Sequence, residues 1–268
     1  MTTPTHTPAA RAVTSPMRRT SLVAGALYLL TFVSIPTLWL YKPVKDHADF
    51  VLGAGSTTGV MWGAVSEVVV ALAGISTAVV LYPVLKRQSR TAALAVVTAR
   101  LLETGLIIVG VVSVLALVTL RNDVAGTPGA DPSSLVTVGH LQAAVYNWTF
   151  LLSQSLMPVI VDLLLGYLLY RSRLVPRILP IVALIGAPLL LASDIATVTG
   201  AYASGSTVSA LAAFPIAAFE FSLGVWLLVK GFTPSSPVFA PPQADDTAPI
   251  PSPRTASREY DAEGVAIS

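Results

Sequence analysis

The chain has 268 residues, 54% hydrophobic and 11% charged, with a mean hydropathy of +0.73. Soluble domains carry roughly a quarter charged residues, so this composition excludes an ordinary soluble globule and indicates a polytopic membrane protein. The absence of Cys excludes disulfides, thiolate metal sites and thiol nucleophiles. A net charge of +2, with basic residues spread beside the apolar runs, gives no support to nucleic-acid binding.

Residues 1–20 are rich in Thr, Pro and Ala and hold Arg11, Arg18 and Arg19, which predicts a disordered tail. Ser21 to Tyr41 is the first apolar run, rising about 31 Å as a helix, enough to cross a hydrocarbon core of roughly 30 Å. Arg18-Arg19 sits before it as in a twin-arginine signal. The apolar region is too long for one, and no small-x-small cleavage site follows, so the run is expected to stay as a span. After a polar link, Gly59 to Leu85 is the second span and contains Glu67. A basic turn (Lys86, Arg87, Arg90) precedes the third span, Ala92 to Leu120, with Arg100 and Glu103.

Arg121 to Ser134, with Gly126, Pro128, Gly129 and Pro132, is a loop. Leu135 to Tyr170 is too long for one straight span. Its first residues, through Gln142, are expected to lie as an interfacial helix. The span proper then runs from about Tyr146 to Tyr170, interrupted by Pro158 and carrying Asp162. A second basic turn holds Arg171, Arg173 and Arg177. Ile178 to Thr199 is the fifth span, with Asp194, and Val208 to Val229 the sixth, with Pro215 and Glu220. From Thr233 the chain is Pro- and Ser-rich without apolar period, which predicts a solvated tail.

The basic residues of the N-terminal tail, the two basic turns and Lys230 all fall on one face of a six-span protein. By the positive-inside rule that face, with both termini, is cytoplasmic. Trp39, Tyr41, Trp62 and Trp148 are placed near the outer interface, and Tyr82, Tyr170 and Trp226 near the inner one.

Six ionisable residues lie inside the runs: Glu67, Arg100, Glu103, Asp162, Asp194 and Glu220. Facing lipid, they would cost on the order of 15–20 kcal/mol on insertion scales. They are therefore expected to face one another, other helices or water. Arg100 and Glu103 are three residues apart and share a helix face. Counting from the basic turns at about 1.5 Å per residue puts Arg100, Glu103, Asp162 and Glu220 at a similar depth, with Glu67 and Asp194 nearer the outside. Arg100 is then the buried cation available to several carboxylates. Asn147, Ser153, Gln154 and Ser155 are polar enough to line a cavity or to bond between helices. His6, His47 and His140 form no metal-spaced pair, no GxSxG elbow occurs, and the Gly-rich stretch 53–59 lacks the P-loop Lys.

Several stretches resemble a known family. Ala26-Leu27-Tyr28-Leu29-Leu30-Thr31-Phe32 opens the membrane part, Leu81-Tyr82-Pro83-Val84-Leu85 ends span two, and Ala99-Arg100-Leu101-Leu102-Glu103 follows. Later come Leu168-Leu169-Tyr170-Arg171-Ser172-Arg173-Leu174-Val175-Pro176-Arg177, Pro215-Ile216-Ala217-Ala218-Phe219-Glu220 and Leu223-Gly224-Val225-Trp226-Leu227-Leu228-Val229-Lys230-Gly231-Phe232. Together, over roughly Ser21 to Phe232, they resemble an uncharacterised bacterial membrane family, the domain of unknown function DUF4386. The resemblance implies a six-span, multi-pass protein of the bacterial inner membrane. It carries over no activity, substrate or catalytic residue.

The expected fold class is all-α: a polytopic membrane bundle of six transmembrane helices with both termini cytoplasmic. The expected divisions are a tail over 1–20, the membrane domain over 21–232 and a second tail over 233–268. Intramembrane ionisable residues are site candidates, so the first functional reading is binding or translocation of a small solute, cation or proton at a mid-membrane charged cluster. Its candidate residues are Arg100, Glu103, Glu67, Asp162, Glu220 and Asp194. The alternative is a non-enzymatic structural or sensory protein whose buried charges only fix helix packing. A membrane enzyme acting on lipid-like substrates has no residue spacing behind it. No catalytic residue, metal ligand or cofactor is expected. The expected partners are the bilayer and a small molecule or ion.

Overall fold

The structure is a computed structural model that describes residues 9–47 and 49–239. The expectations for the ends of the two tails, 1–8 and 240–268, lie outside those residues. Six helical stretches are long and apolar enough to cross a membrane: Pro16–Thr37, Thr57–Leu85, Arg90–Val124, Pro132–Ser172, Ile178–Val198 and Thr207–Val229. The described residues hold no strand. The protein is an all-α, multi-pass membrane protein.

Local chemistry sets where the helices start and break. The first span is two pieces, α1 (Ala9–Thr31) and α2 (Ser34–Leu40). Pro36 has no N–H to give the Phe32 carbonyl, and that carbonyl accepts from the Ile35 amide at 3.1 Å instead. A short helix, α3 (Lys42–Asp46), and a 3-10 turn at Phe50–Leu52 lead to α4 (Thr57–Leu85). Helix α5 (Arg90–Thr119) is capped by Ser89, whose Oγ accepts from the Ala92 amide at 3.2 Å. It widens into a π turn at Leu120–Val124.

Asp131 caps α6 (Pro132–Leu151), accepting from the amides of Ser133 at 3.3 Å and Ser134 at 3.0 Å. The Ser133 and Ser134 hydroxyls, with those amides, hold its carboxyl well below the usual carboxylate range. A π turn at Leu152–Leu156 joins α6 to α7 (Met157–Ser172). The interfacial helix expected to end near Gln142 is therefore corrected. The helix runs unbroken from Pro132 and is disturbed only at this wide turn, which relieves the missing donor and ring bulk of Pro158. Helices α8 (Ile178–Val198) and α9 (Thr207–Val229) keep Pro188 and Pro215 inside continuous helix.

The six spans close into a ring in chain order. α1 packs on α4, α4 on α5, α5 on α6 and α7, α7 on α8, α8 on α9, and α9 returns to α1. Side-chain polarity points inward. In one turn of α5, Arg100 and Glu103 are buried at 4% and 7% exposure, while Leu101 and Leu102 between them are 60% and 55% exposed. Leucines on the outside and charges on the inside suit a bundle whose solvent is lipid. An apolar core fills one end of the ring, with Tyr28, Leu85, Leu165, Leu168, Phe219 and Leu223. A smaller one, with Tyr41, Phe50, Val60, Val114 and Tyr146, fills the other.

Both described chain ends fasten to the first of these cores. α1 begins at Ala9, inside the stretch expected to be a tail. Arg18 donates to the carbonyls of Leu227, Leu228 and Val229 at 3.1, 2.6 and 3.3 Å. These carbonyls end α9 and have no partner within it. Past α9 the chain stays packed through Phe239. The Thr233 amide donates to Leu174 O at 2.8 Å and Ser236 Oγ to Ser172 O at 2.6 Å. Val238 and Phe239 pack on the core.

Candidate functional site

Between the two apolar ends lies a layer of ionisable groups. On α5, Arg100 and Glu103 are one helical step apart, and Arg100 Nη1 donates to both Glu103 oxygens at 2.8 and 3.0 Å. Its Nη2 donates to Glu220 Oε1 of α9 at 2.7 Å. The guanidinium carbon stands 5.9 Å from the centre of the Tyr28 ring of α1. Asp162 of α7 is wholly buried and within electrostatic reach of Glu220, Arg100 and Glu103. Among the described residues neither of its oxygens has a hydrogen-bond partner, and neither has Arg100 Nε. The cluster thus gathers one guanidinium and three carboxyls from three helices.

Glu67 and Asp194 do not join it, which corrects their grouping with Arg100, Glu103, Asp162 and Glu220 in one charged cluster. Glu67 of α4 accepts from Tyr41 Oη at 3.2 Å, Tyr146 Oη at 2.9 Å and Gln154 Nε2 at 3.1 Å. Tyr41 and Tyr146 meet edge to face at 5.0 Å. Tyr41, expected in an outer aromatic belt, turns into the bundle because a buried carboxylate needs donors. Asp194 of α8 accepts from Ser155 Oγ of the π turn at 2.6 Å, and its Oδ2 has no partner among the described residues.

The cluster borders a cavity of about 170 Å³. Arg100, Glu103 and Glu220 line it, together with Thr31 and Ser34 at the α1–α2 break and Gln154 of the π turn. Glu67 stands behind Gln154, and Asp162 is not on the wall. A second cavity of about 360 Å³ opens at the far end of the ring from Arg18, with Lys45, His47, His140 and Asn147 among its walls.

Some neighbours of these ionisable groups carried little signal in the sequence. Tyr41, Tyr146 and Tyr28 read there as ordinary aromatics; only the spatial approach of Glu67 and Arg100 singles them out. Arg121 read as a loop charge. It donates to the carbonyls of Phe50, Gly53, Ala54 and Gly55 and so fixes the 50–55 loop. Gln154 was visible as a polar residue near Pro158, though not as the link between Glu67 and the cavity.

No curated protein and no solved structure matches the chain. The family described as a domain of unknown function, DUF4386, matches residues 23–231, and the chain belongs to that family.

Proposed function

We propose that this is a membrane carrier for a small solute, and that Asp162 holds the coupling proton or monovalent cation. The observation behind this reading is the orphaned Asp162 carboxyl beside Arg100, Glu103 and Glu220. With all four ionised the cluster carries one positive charge against three negative, a formal −2. A buried carboxylate without donors costs several kcal/mol. A bound proton or cation removes that cost. The cavity next to it touches two helix breaks, the α1–α2 joint and the π turn before Pro158. Discontinuous helices meeting near mid-membrane are a common way to build transporter sites.

In this reading the bundle sits in a bacterial inner membrane with the Arg18 end in the cytoplasm, because short basic loops are retained there. The chain has no Cys, so single cysteines report orientation directly. In intact cells an impermeant maleimide is expected to label Ser204→Cys and to spare Gln88→Cys. The reverse pattern inverts the orientation.

The test of the carrier is proton and sodium flux into proteoliposomes under an imposed potential. Wild type is expected to exceed empty liposomes, and Asp162→Asn to fall to their level. Flux retained in D162N, or no flux above empty liposomes with either ion, overturns the reading. The structural alternative has its own support in Glu67, whose carboxyl is met by three donors. It predicts that D162N changes thermal stability and nothing else.

A further inference from the structure

On the wall of the cavity beside the charged cluster, about 170 Å³, the polar atoms left over are mainly acceptors. Glu220 gives Oε1 to Arg100, and its side chain stays 16% exposed. Among the described residues its Oε2 accepts no hydrogen bond. Gln154 turns its Nε2 to Glu67, since an ionised carboxyl can only accept. Its carbonyl oxygen is left without a described donor. Thr31 gives its hydroxyl hydrogen to Tyr28 O at 2.6 Å, which leaves lone pairs on Oγ1. Ser34 adds a hydroxyl that can accept as well. The donors nearby are engaged. Arg100 turns Nη1 to both Glu103 oxygens and Nη2 to Glu220. At the α1–α2 break the amides of Phe32, Val33 and Ile35 bond to the carbonyls of Leu29, Leu30 and Phe32, and Pro36 has none. An anion would have to draw Arg100 away from its carboxylates. A cation with N–H groups would not.

We propose that this cavity binds a small primary ammonium, with Glu220 as its counter-ion and Gln154 and Thr31 as further acceptors. An alkylammonium head brings three donors and one charge, and the wall can take them without breaking a bond it already makes. The net charge has the matching sign. Arg100 against Glu103 and Glu220 is one guanidinium against two carboxylates, a formal −1. Asp162, wholly buried, off the wall and with neither oxygen partnered among the described residues, adds a second negative charge. With the coupling ion on Asp162, one negative charge remains for the solute. The Phe32 ring, edge to face on Phe221 at 5.4 Å, gives the cavity an aromatic side for the cation or its alkyl part. At about 30 Å³ of liquid volume per water, the space suits a cation of a few heavy atoms. The proposal names the substrate class of the carrier and rests on that reading for transport, not for binding.

The test is calorimetric titration of ethylammonium chloride, tetramethylammonium chloride and sodium acetate into the full-length protein in phosphatidylcholine nanodiscs. Ethylammonium is expected to fill one saturable site. Tetramethylammonium has the charge but no N–H donor and is expected to bind about tenfold or more weakly, and acetate not to bind. Glu220→Gln and Gln154→Leu are each expected to weaken ethylammonium about tenfold or more. Both variants keep the bundle together. Arg100 stays on Glu103 in E220Q, and Glu67 keeps Tyr41 and Tyr146 in Q154L. The contrast between the two cations on wild type needs no variant. The proposal is overturned if ethylammonium fails to bind, if tetramethylammonium binds as tightly, if acetate binds instead, or if E220Q and Q154L bind ethylammonium like wild type. Ethylammonium binding without proton or sodium flux sinks the carrier reading alone. Flux that depends on Asp162, without ethylammonium binding, sinks the ammonium site alone.

Discussion

Arg100 and Glu220 meet at 2.7 Å although 120 positions separate them in the chain. Through this contact the third span holds the sixth. The pair is not symmetric in its consequences. Removing Glu220 leaves Arg100 still held by both oxygens of Glu103. Removing Arg100 leaves three carboxyls facing one another without a cation. Breaking a buried ion pair from the wrong side costs about 3–5 kcal/mol. Arg100→Leu is therefore expected to lower stability in detergent by that amount, and Glu220→Gln by only about 1 kcal/mol. Equal losses in thermal unfolding would show that the cluster is not organised by its guanidinium.

The Glu67 node makes a separate prediction. Tyr146→Phe deletes the 2.9 Å donor and leaves the aromatic packing in place. A buried acceptor losing a donor costs about 1–3 kcal/mol. The loss is expected to shrink when Glu67 is already Gln, with a coupling of about 1 kcal/mol or more in a double-mutant cycle. Additive losses from Tyr146→Phe and Glu67→Gln would mean the hydroxyl and carboxyl do not act together.

Glycines at two helix positions should respond in opposite directions. A Cβ on Gly25 would stand 2.7 Å from Gly224 O and 2.8 Å from Leu228 N, both backbone atoms of α9. Neither can rotate away, so Gly25→Ala must push α1 and α9 apart, at a cost of about 1–3 kcal/mol. A Cβ on Gly105, inside α5, meets nothing within 4 Å. Gly105→Ala is expected to be neutral or to stabilise by up to about 1 kcal/mol, since Gly is the poorer helix former. The two variants compared by melting temperature test whether the α1–α9 approach is as tight as described.

The spans were legible because their signal is local: each apolar run is long enough to cross a membrane, and each is bounded by basic or turn residues. Depth was legible for a related reason. Counting along helices from Arg90, Arg171 and Lys230 places Arg100, Asp162 and Glu220 together, and the ring brings them together. The same count sets Glu67 nearer the outside, and the structure keeps it apart; which partners it meets was not legible, because the distance along a helix says nothing about its rotation. Its face turns to Tyr41 and Tyr146 rather than to Arg100. The π turn was half legible. Pro158 announces a disturbance, yet whether a helix answers with a gap or a wide turn depends on the packing around it. Arg18 was hidden more completely, since its partners lie more than two hundred positions away.

That distance has a consequence for how the protein is made. Arg18 leaves the ribosome long before Leu227, Leu228 and Val229 exist. Until α9 arrives, its guanidinium has none of these carbonyls to hold, and α1 lacks the neighbour that closes the ring. Biogenesis therefore gains this closure in one late step, when α9 docks beside α1. A nascent chain stalled before residue 227 carries an open seam, the form most exposed to quality-control proteases.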